Sequence, residues 1–285
     1  MTPDPNMQQV TVRVPASTSN LGPGFDCLGV ALRLYNRVTV RRGGSGPRNP
    51  MVEEAAARFF ERSGCRSFGY SAKMEGEVPI SRGLGSSVTV RLGLLHGLNA
   101  LTGDLLDREE LFALCTELEG HPDNAAPAEF GGFNVARGTT RQRFAVSSLL
   151  KFVLLVPDLE VRTNAARALL PDQVPRLEAV ESCGNACAIT AAFASGEYQN
   201  LRGVFRDHLH QPYRKKLIPF FDDVLAAAEE AGALGGFLSG SGSTIAAVTL
   251  THAPKVARAM ASAAPRKTRL VVTTADNTGV RVLKK

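Results

Sequence analysis

Residues 79–87 read PISRGLGSS, and this stretch decides the fold because its glycines open directly into a long apolar segment. Leucines recur at helical spacing between residues 94 and 101, so we predict one helix over residues 86–101. Such a loop directs free backbone N–H groups and the hydroxyls of Ser86 and Ser87 toward one point, where an anion would bind. The same residues also fit an ordinary serine cap at a helix start. The loop alone therefore leaves a phosphate site and a plain helix cap open.

The remaining pattern mixes strands and helices without a regular βαβ repeat. Alternating β-branched residues predict strands at residues 10–14 and 35–40, and the glycine-rich segment 15–29 between them is predicted to be a loop. Further strands are predicted near residues 151–156, 244–250, 268–274 and 279–283, and further helices near residues 52–61, 108–119, 164–170, 183–195 and 221–231. An irregular mixture of this kind favours an α+β fold over a doubly wound parallel sheet.

Composition and charge exclude several classes of protein. The 285 residues include 44% hydrophobic and 21% charged residues, which is typical of a globular chain. The net charge of +6 permits acidic ligands, but no segment combines a dense basic face with aromatic residues, so we expect no nucleic-acid binding. No apolar run reaches the roughly 18 residues of a membrane span. Five widely separated cysteines fit free thiols in a reducing compartment, so we expect a cytoplasmic protein without a membrane partner.

Common nucleotide-binding motifs are absent, but two further loops carry candidate chemistry. No Gly-Lys dipeptide occurs, which excludes a Walker A loop. Glu119, His121, Asp123 and Asn124 lie within six residues at a predicted helix end, which is typical of a catalytic or binding loop and also of a polar turn. Residues 238–244 form a second Gly/Ser-rich loop, which also fits a tight turn. A zinc site is disfavoured because the candidate ligands crowd one short loop.

Five ordered motifs resemble those of the GHMP kinases, the family that includes galactokinase, homoserine kinase and mevalonate kinase. Residues 79–87 match the PxxxGLGSS loop of that family. The other motifs are similar to segments of its homoserine kinase branch: residues 14–26 (VPASTSNLGPGFD), residues 120–128 (GHPDNAAPA), Thr163 with Arg167, and residues 210–214 (HQPYR). The resemblance covers nearly the whole chain. It implies an N-terminal α+β domain over residues 1–152, which carries the phosphate loop, and a C-terminal ferredoxin-like α+β domain over residues 153–285.

The resemblance implies an ATP- and Mg²⁺-dependent transfer of phosphate to the hydroxyl of L-homoserine, a step of threonine biosynthesis. Mg²⁺ would be held by Ser86 and Glu119, with Ser87 as a second hydroxyl, and it would neutralise the phosphates. The implied ATP-binding residues are Asn49, Pro79, Arg82, Gly83, Leu84, Gly85, Ser86 and Ser87. Because family members are often dimers, a homodimer is also expected.

The resemblance also implies how the amino-acid substrate is bound. Arg167 and Arg214 would bind its carboxylate, since a planar guanidinium fits a carboxylate, and Asp26 or Asp123 would bind its ammonium group. Asn124 and Asp26 are the implied catalytic residues. An amide cannot accept a proton, so Asn124 would orient the hydroxyl, and positioning would supply most of the acceleration. The implied substrate-binding residues are Asn20, Asp26, His121, Asp123, Asn124, Thr163, Arg167, Arg214, Gly240, Ser241 and Gly242.

One departure from the family pattern keeps alternatives open. Residues 88–91 (VTVR) bring β-branched side chains and a charge into the first turns of a helix where the family usually places small residues. This departure fits a relative that binds a nucleotide or an amino acid without catalysis. A kinase of another small alcohol, such as a mevalonate-type one, fits the same loops.

Overall fold

The computed structural model describes residues 7–44, 49–265 and 267–283. The strands are β1 (Gln9–Ser19), β2 (Leu28–Arg42), β3 (Tyr70–Gly76), β4 (Phe133–Arg137), β5 (Thr140–Phe144), β6 (Lys151–Pro157), β7 (Gly235–Leu238), β8 (Ile245–Thr249), β9 (Thr268–Thr273) and β10 (Arg281–Leu283). The helices are α1 (Pro50–Ser63), α2 (Ser86–Thr102), α3 (Arg108–Glu119), α4 (Ala125–Phe130), α5 (Thr163–Arg167), α6 (Arg176–Ser195), α7 (Gln211–Arg214), α8 (Phe221–Glu230) and α9 (Ala253–Ser262).

The first sheet is antiparallel and carries helices α1 to α4 on one face. Its strand order is β10-β1-β2-β4-β5, and β3 pairs with the second half of β2. Alternation along β1 places Val10, Val12 and Val14 against these helices, in a core that also contains Leu95 and Phe112. Helix α2 lies within this core and is buried along most of its length. The apolar run after the glycine-rich loop therefore forms the predicted helix because it is covered on nearly every side.

The second sheet has ferredoxin-like topology. Its core elements follow the order β6, α8, β7, β8, α9, β9, with α5, α6 and α7 inserted between β6 and α8, and the antiparallel strand order is β7-β8-β6-β9. Helices α8 and α9 pack on one face through a core that includes Val224 and Val256. The irregular order of strands and helices therefore confirms the predicted α+β fold and its ferredoxin-like C-terminal half.

A further core, the inter-sheet core, lies between the two sheets and joins the halves of the molecule. It contains Val30 of β2, Leu154 of β6 and the stacked rings of Phe133 and Phe193, whose centroids are 4.2 Å apart. A register shift next to Ala16 turns β1, so that this residue joins the inter-sheet core, whereas the valines before it belong to the first core, under helices α1 to α4. Strand β1 thereby contributes to both of these cores.

Several predicted elements differ from those in the structure. Residues 15–29 are not one loop, because β1 continues to Ser19 and β2 begins at Leu28. The buried hydroxyls of this part of β1 find hydrogen-bond partners, which allows polar residues in a covered strand. Helix α6 begins at Arg176 rather than near residue 183. Strands β3, β4, β5 and β7 and helices α4, α7 and α9 were not predicted. All of them except α9 span at most seven residues, which is too short to show a clear apolar period.

The predicted domain boundary after residue 152 falls within β6, which belongs to the second sheet. The last strand, β10, returns to the first sheet and pairs with β1. The predicted ranges 1–152 and 153–285 stay a prediction, and their ends include residues outside the described ranges.

Candidate active site

The loop at residues 79–87 enters helix α2 through two left-handed glycines. Gly83 and Gly85 have φ values of +72° and +67°, a region that side chains rarely adopt. A Cβ on Gly83 would also collide with the carbonyl oxygen of Ser239. Gly85 is the N-cap residue of α2 and offers no side-chain acceptor to the N–H groups of the first turn. These groups can therefore receive an anion at the positive end of the helix dipole.

The second glycine-rich loop, between β7 and β8, packs directly on the first. Ser239 Oγ donates to the carbonyl oxygen of Gly83 at 2.6 Å, and the N–H of Thr244 donates to the carbonyl oxygen of Arg82 at 3.2 Å. The N–H of Gly240 donates to the carbonyl oxygen of Ser19 at 3.1 Å. The two loops from the two halves of the chain therefore form one wall of a shared cavity of about 560 Å³.

Glu119, the last residue of α3, faces the start of α2. Its carboxylate accepts from Ser87 Oγ at 2.9 Å and from Arg91 Nη1 at 2.7 Å. Arg91 also pairs with Glu54 of α1 at 3.1 Å. The structure therefore brings Ser87 into contact with Glu119, while Ser86 lines the same cavity without that contact. The two hydroxyls and the carboxylate offer oxygen atoms only, which is the donor set that Mg²⁺ prefers.

Asn124 is held by hydrogen bonds from both sides of its amide. Ser17 Oγ donates to Oδ1 at 2.8 Å, and Nδ2 donates to Ser19 Oγ at 2.9 Å and to Asp123 Oδ1 at 3.3 Å. Ser19 is also a side-chain hydrogen-bond partner of Asp123. This network fixes the amide orientation and leaves the second lone pair of Oδ1 for another donor.

His121 and Asp123 form a shielded ion pair beside this amide. Their side-chain atoms Nδ1 and Oδ1 are 2.7 Å apart. Burial lowers the pKa of His121, but the hydrogen bond and the charge of Asp123 outweigh burial and raise this pKa above its ordinary value of 6.5. Burial likewise raises the pKa of Asp123, but His121 and the neighbouring hydrogen bonds bring it below 3.8. The pairing therefore favours the charged form of both groups.

Asp26 and Arg167 bind each other in a bidentate pair. Arg167 Nη2 and Nη1 donate to the two carboxylate oxygens of Asp26 at 2.6 and 3.0 Å. The sequence predicts both residues as substrate ligands, and the structure brings both to the cavity, but it also pairs them with one another. Asp26, His121 and Asp123 form an acidic cluster in which one ligand atom of each residue lies within 4.8 Å of the others.

Arg214 is a buried cation without a carboxylate partner among the described residues. Its side chain is 2% exposed and donates to the carbonyl oxygen of Gly240 at 3.1 Å. Burial, followed by the charge of Arg167, lowers the pKa of Arg214 to about 10, so the guanidinium remains charged at neutral pH. Its neighbour His210 carries no compensating negative charge.

His210 is neutral because burial lowers its pKa to about 4. Its Nε2 lies 2.8 Å from the carbonyl oxygen of Gly22 and must donate to it, since a carbonyl only accepts. Nδ1 is then free to accept from Arg214 Nη1 at 3.5 Å. Arg214 is therefore held in place by neutral acceptors, without an ion pair among the described residues.

Most of the predicted site residues line this one cavity. The exceptions are Pro79, Leu84 and Gly242, which belong to the two glycine-rich loops but do not line the cavity. Asn49 lines the cavity and also caps helix α1, where its Oδ1 accepts from the N–H of Met51 at 3.0 Å. The predicted residues that line the cavity are Asn20, Asp26, Asn49, Arg82, Gly83, Gly85, Ser86, Ser87, Glu119, His121, Asp123, Asn124, Thr163, Arg167, Arg214, Gly240 and Ser241.

Several cavity residues were missed from the sequence. Ser19, which positions Asn124, was predicted to lie in a loop, and Arg91 was noted only as a departure from a family pattern. An apolar group that lines the same cavity as Asn49 was also missed, because its members come from five separate segments: Met51, Met74, Ile80, Val90 and Leu118. The other departure, Val88, packs into the first core and is 1% exposed, so its side chain does not occupy the phosphate position.

Comparison with known proteins agrees with this architecture. Residues 50–132 match the family model for the GHMP kinases N terminal domain, and residues 189–266 match the model for the GHMP kinases C terminal domain. In the described ranges, no helix has both the length and the apolar character needed to cross a membrane.

Two similar curated proteins and one similar solved structure are homoserine kinases. The homoserine kinase of Caldicellulosiruptor bescii is 39% identical over 257 residues, covering 84% of each chain. The homoserine kinase of Synechococcus sp. is 40% identical over 262 residues, covering 85% of this chain and 86% of the relative. The crystal structure of homoserine kinase from Cytophaga hutchinsonii superposes with a TM-score of 0.90 at 28% identity, covering 98% of both chains.

Proposed function

The chain belongs to the GHMP kinase family, and from this premise we propose that it transfers the γ-phosphate of ATP to the side-chain hydroxyl of L-homoserine, giving O-phospho-L-homoserine. The homoserine kinases that it matches over most of their length support this acceptor. The reaction is a step of threonine biosynthesis. The proposal assigns each part of ATP and of homoserine to a distinct part of the cavity.

In this proposal, the triphosphate binds at the start of α2. The N–H groups of the first turn and the hydroxyl of Ser86 face the cavity there. The apolar residues around Met51 and Ile80 offer a surface for the flat face of adenine, with Asn49 beside them. This places the γ-phosphate toward Asn124, between the two glycine-rich loops.

The oxygen donors Ser86, Ser87 and Glu119 fit Mg²⁺, because hydroxyl and carboxylate oxygens are the ligands that this ion prefers. When bound, Mg²⁺ would neutralise charge on the phosphates during transfer. The chain itself holds Glu119 toward Ser87 through their 2.9 Å hydrogen bond. We propose this set as the metal ligands.

The observation that carries the choice of acceptor is that one cavity holds Arg214, which has no ion-pair partner among the described residues, together with the carboxylates of Asp26 and Asp123. Homoserine has a carboxylate and an ammonium group on the same carbon. Arg214 would bind the carboxylate, and the carboxylates of Asp26 and Asp123 would face the ammonium group. A mevalonate-type acceptor has no cation to place there, so the cluster favours an amino acid. Each charge of the zwitterion then meets an opposite charge in a shielded site.

The hydroxyl of homoserine would donate to the free lone pair of Asn124 Oδ1. Ser17 and Ser19 hold this amide, so the oxygen nucleophile is oriented before the reaction. No strong base is needed when the transition state is loose and most acceleration comes from position and charge; the hydroxyl proton would pass to an oxygen of the transferred phosphoryl group as the bond to ADP breaks. Asp123 is a weak base because its pKa is below 3.8, and its role in this proposal is electrostatic.

The proposal is tested by measuring ADP release from ATP and Mg²⁺ with L-homoserine, L-serine, L-threonine or mevalonate, and by identifying the product by ³¹P NMR. We expect release with homoserine well above the other three alcohols. Release with mevalonate instead would support the other alcohol kinase, and tight ATP binding without release would support a regulatory relative. A homodimer and a cytoplasmic location stay predictions, which sedimentation and cell fractionation would test.

A further inference from the structure

We propose that Arg91 competes with Mg²⁺ for Glu119 and thereby sets the Mg²⁺ concentration that nucleotide binding requires. The inference rests on the proposed function, in which Glu119 is a metal ligand. It concerns a positioning residue that acts through Glu119 and that the family resemblance does not assign. Arg91 belongs to the short segment in which this chain departs from the family pattern.

The geometry places the guanidinium on the carboxylate that the metal would use. Arg91 follows Ser87 by four residues, so both lie on the same face of α2. Its Nη1 is 2.7 Å from Glu119 Oε1, and the two side chains are only 12% and 9% exposed. Because so shielded a pair is weakly screened by solvent, Arg91 neutralises much of the charge of Glu119. A divalent ion must therefore replace an existing partner.

A second carboxylate offers Arg91 an alternative ion-pair partner. Glu54 of α1 lies 3.1 Å from Arg91 Nη2 and is 56% exposed. The Nε of Arg91 has no hydrogen-bond partner among the described residues, although it is buried. The guanidinium is thus shared between two carboxylates, and its Nε–H group makes no hydrogen bond to the described residues. When Glu119 binds a metal ion, Arg91 can keep its pairing with Glu54.

This arrangement predicts opposite effects for two substitutions. Arg91→Met removes the competing cation and keeps an apolar stem, so Glu119 becomes a better metal ligand. Glu54→Gln removes the alternative partner, so Arg91 pairs more firmly with Glu119 and the metal binds less readily. A merely structural role for the ion pairs would shift both variants in the same direction.

The test is isothermal titration calorimetry of ADP binding at a series of free Mg²⁺ concentrations. We expect Arg91→Met to lower the half-saturating Mg²⁺ concentration about tenfold, the scale of one charge-assisted hydrogen bond. We expect Glu54→Gln to raise it about two- to threefold, because a half-exposed pair is weaker. The matched control is Arg62→Ala, which breaks the exposed 2.9 Å pair with Glu117 on the same helix α3 and should leave the Mg²⁺ requirement unchanged.

Each outcome supports or overturns the inference. An unchanged or higher Mg²⁺ requirement in Arg91→Met, or a lower one in Glu54→Gln, would overturn it while leaving the kinase assignment intact. If Arg91→Met does not fold, Arg91→Gln and Glu54→Gln provide the same opposed pair. Wild-type protein that binds ADP without any dependence on Mg²⁺ would also overturn the inference, because Glu119 would then hold no ion that supports nucleotide binding. The proposed function has a separate test in the release of ADP with L-homoserine.

Discussion

Replacing Arg214 with methionine tests whether the positive charge of this side chain binds the carboxylate of the substrate. Arg214 is 2% exposed, and its Nη1 contacts the neutral ring of His210 and the carbonyl oxygen of Gly240 rather than a carboxylate. If it binds the homoserine carboxylate, the variant leaves that carboxylate in a shielded site without a partner. Losing one partner of a buried ion pair costs about 3–5 kcal/mol. At about 1.4 kcal/mol per tenfold, kcat/KM for homoserine should fall by roughly two to three and a half orders of magnitude.

The assay compares homoserine with 3-aminopropanol, which has the same hydroxyl and amine but no carboxylate. Wild-type enzyme should strongly prefer homoserine, and Arg214→Met should lose most of that preference. The KM for ATP should change little, because the proposed nucleotide site lies at the other end of the cavity. We expect the thermal midpoint to stay the same or rise, since an uncompensated buried charge destabilises the fold.

Two results would refute this reasoning. Equal losses of kcat/KM for homoserine and 3-aminopropanol would show that Arg214 does not contact the carboxylate. Parallel increases in KM for ATP and homoserine would point to a distorted cavity instead. Arg214→Lys separates charge from shape, because it keeps the charge but lacks the bidentate fork.

Three further predictions concern the metal, pH and stability. Glu119→Gln should raise the Mg²⁺ requirement and lower kcat, measured by Mg²⁺ titration of the rate; identical titrations in variant and wild type would exclude Glu119 as a ligand. Because the pKa of His121 is raised on folding, its contribution to stability is complete below about pH 6.5 and is lost as pH rises through the folded pKa. Urea unfolding should therefore show a loss of stability as the pH rises above about 6.5 in wild type that His121→Gln lacks, and equal slopes would contradict the ion pair. Phe193→Ala removes a fully buried stacked ring and should cost about 3–5 kcal/mol of unfolding free energy in a denaturant titration, whereas a loss below about 1 kcal/mol would contradict tight packing between the sheets.

Local sequence patterns predicted the parts of the molecule whose causes are local. The glycine-rich loop and helix α2 follow from a turn that needs left-handed residues and from apolar residues at helical spacing. Helix α3 was predicted with its observed bounds, because Asp107 and Glu110 form a capping box and Gly120 ends the helix in a left-handed conformation. Such elements depend on residues a few positions apart.

The family resemblance named most of the cavity residues, but it did not predict their contacts with each other. Arg167 and Asp26 were both expected to bind substrate, and they are paired across 141 residues of sequence. Asn124 is positioned by Ser17 and Ser19, more than 100 residues away. These pairings arise only when two sheets and two loops meet.

The sequence by itself determined the α+β fold, the glycine-rich loop and the helix that follows it, because spacing and turn chemistry act within short segments, and its resemblance to a family named most of the cavity residues. Tertiary structure alone decided which charges are neutralised. It paired Arg167 with Asp26, shared Arg91 between Glu54 and Glu119, and left Arg214 without a carboxylate among the described residues. The physical reason is that Coulomb interactions depend on distance and shielding, and both are set by how remote segments pack.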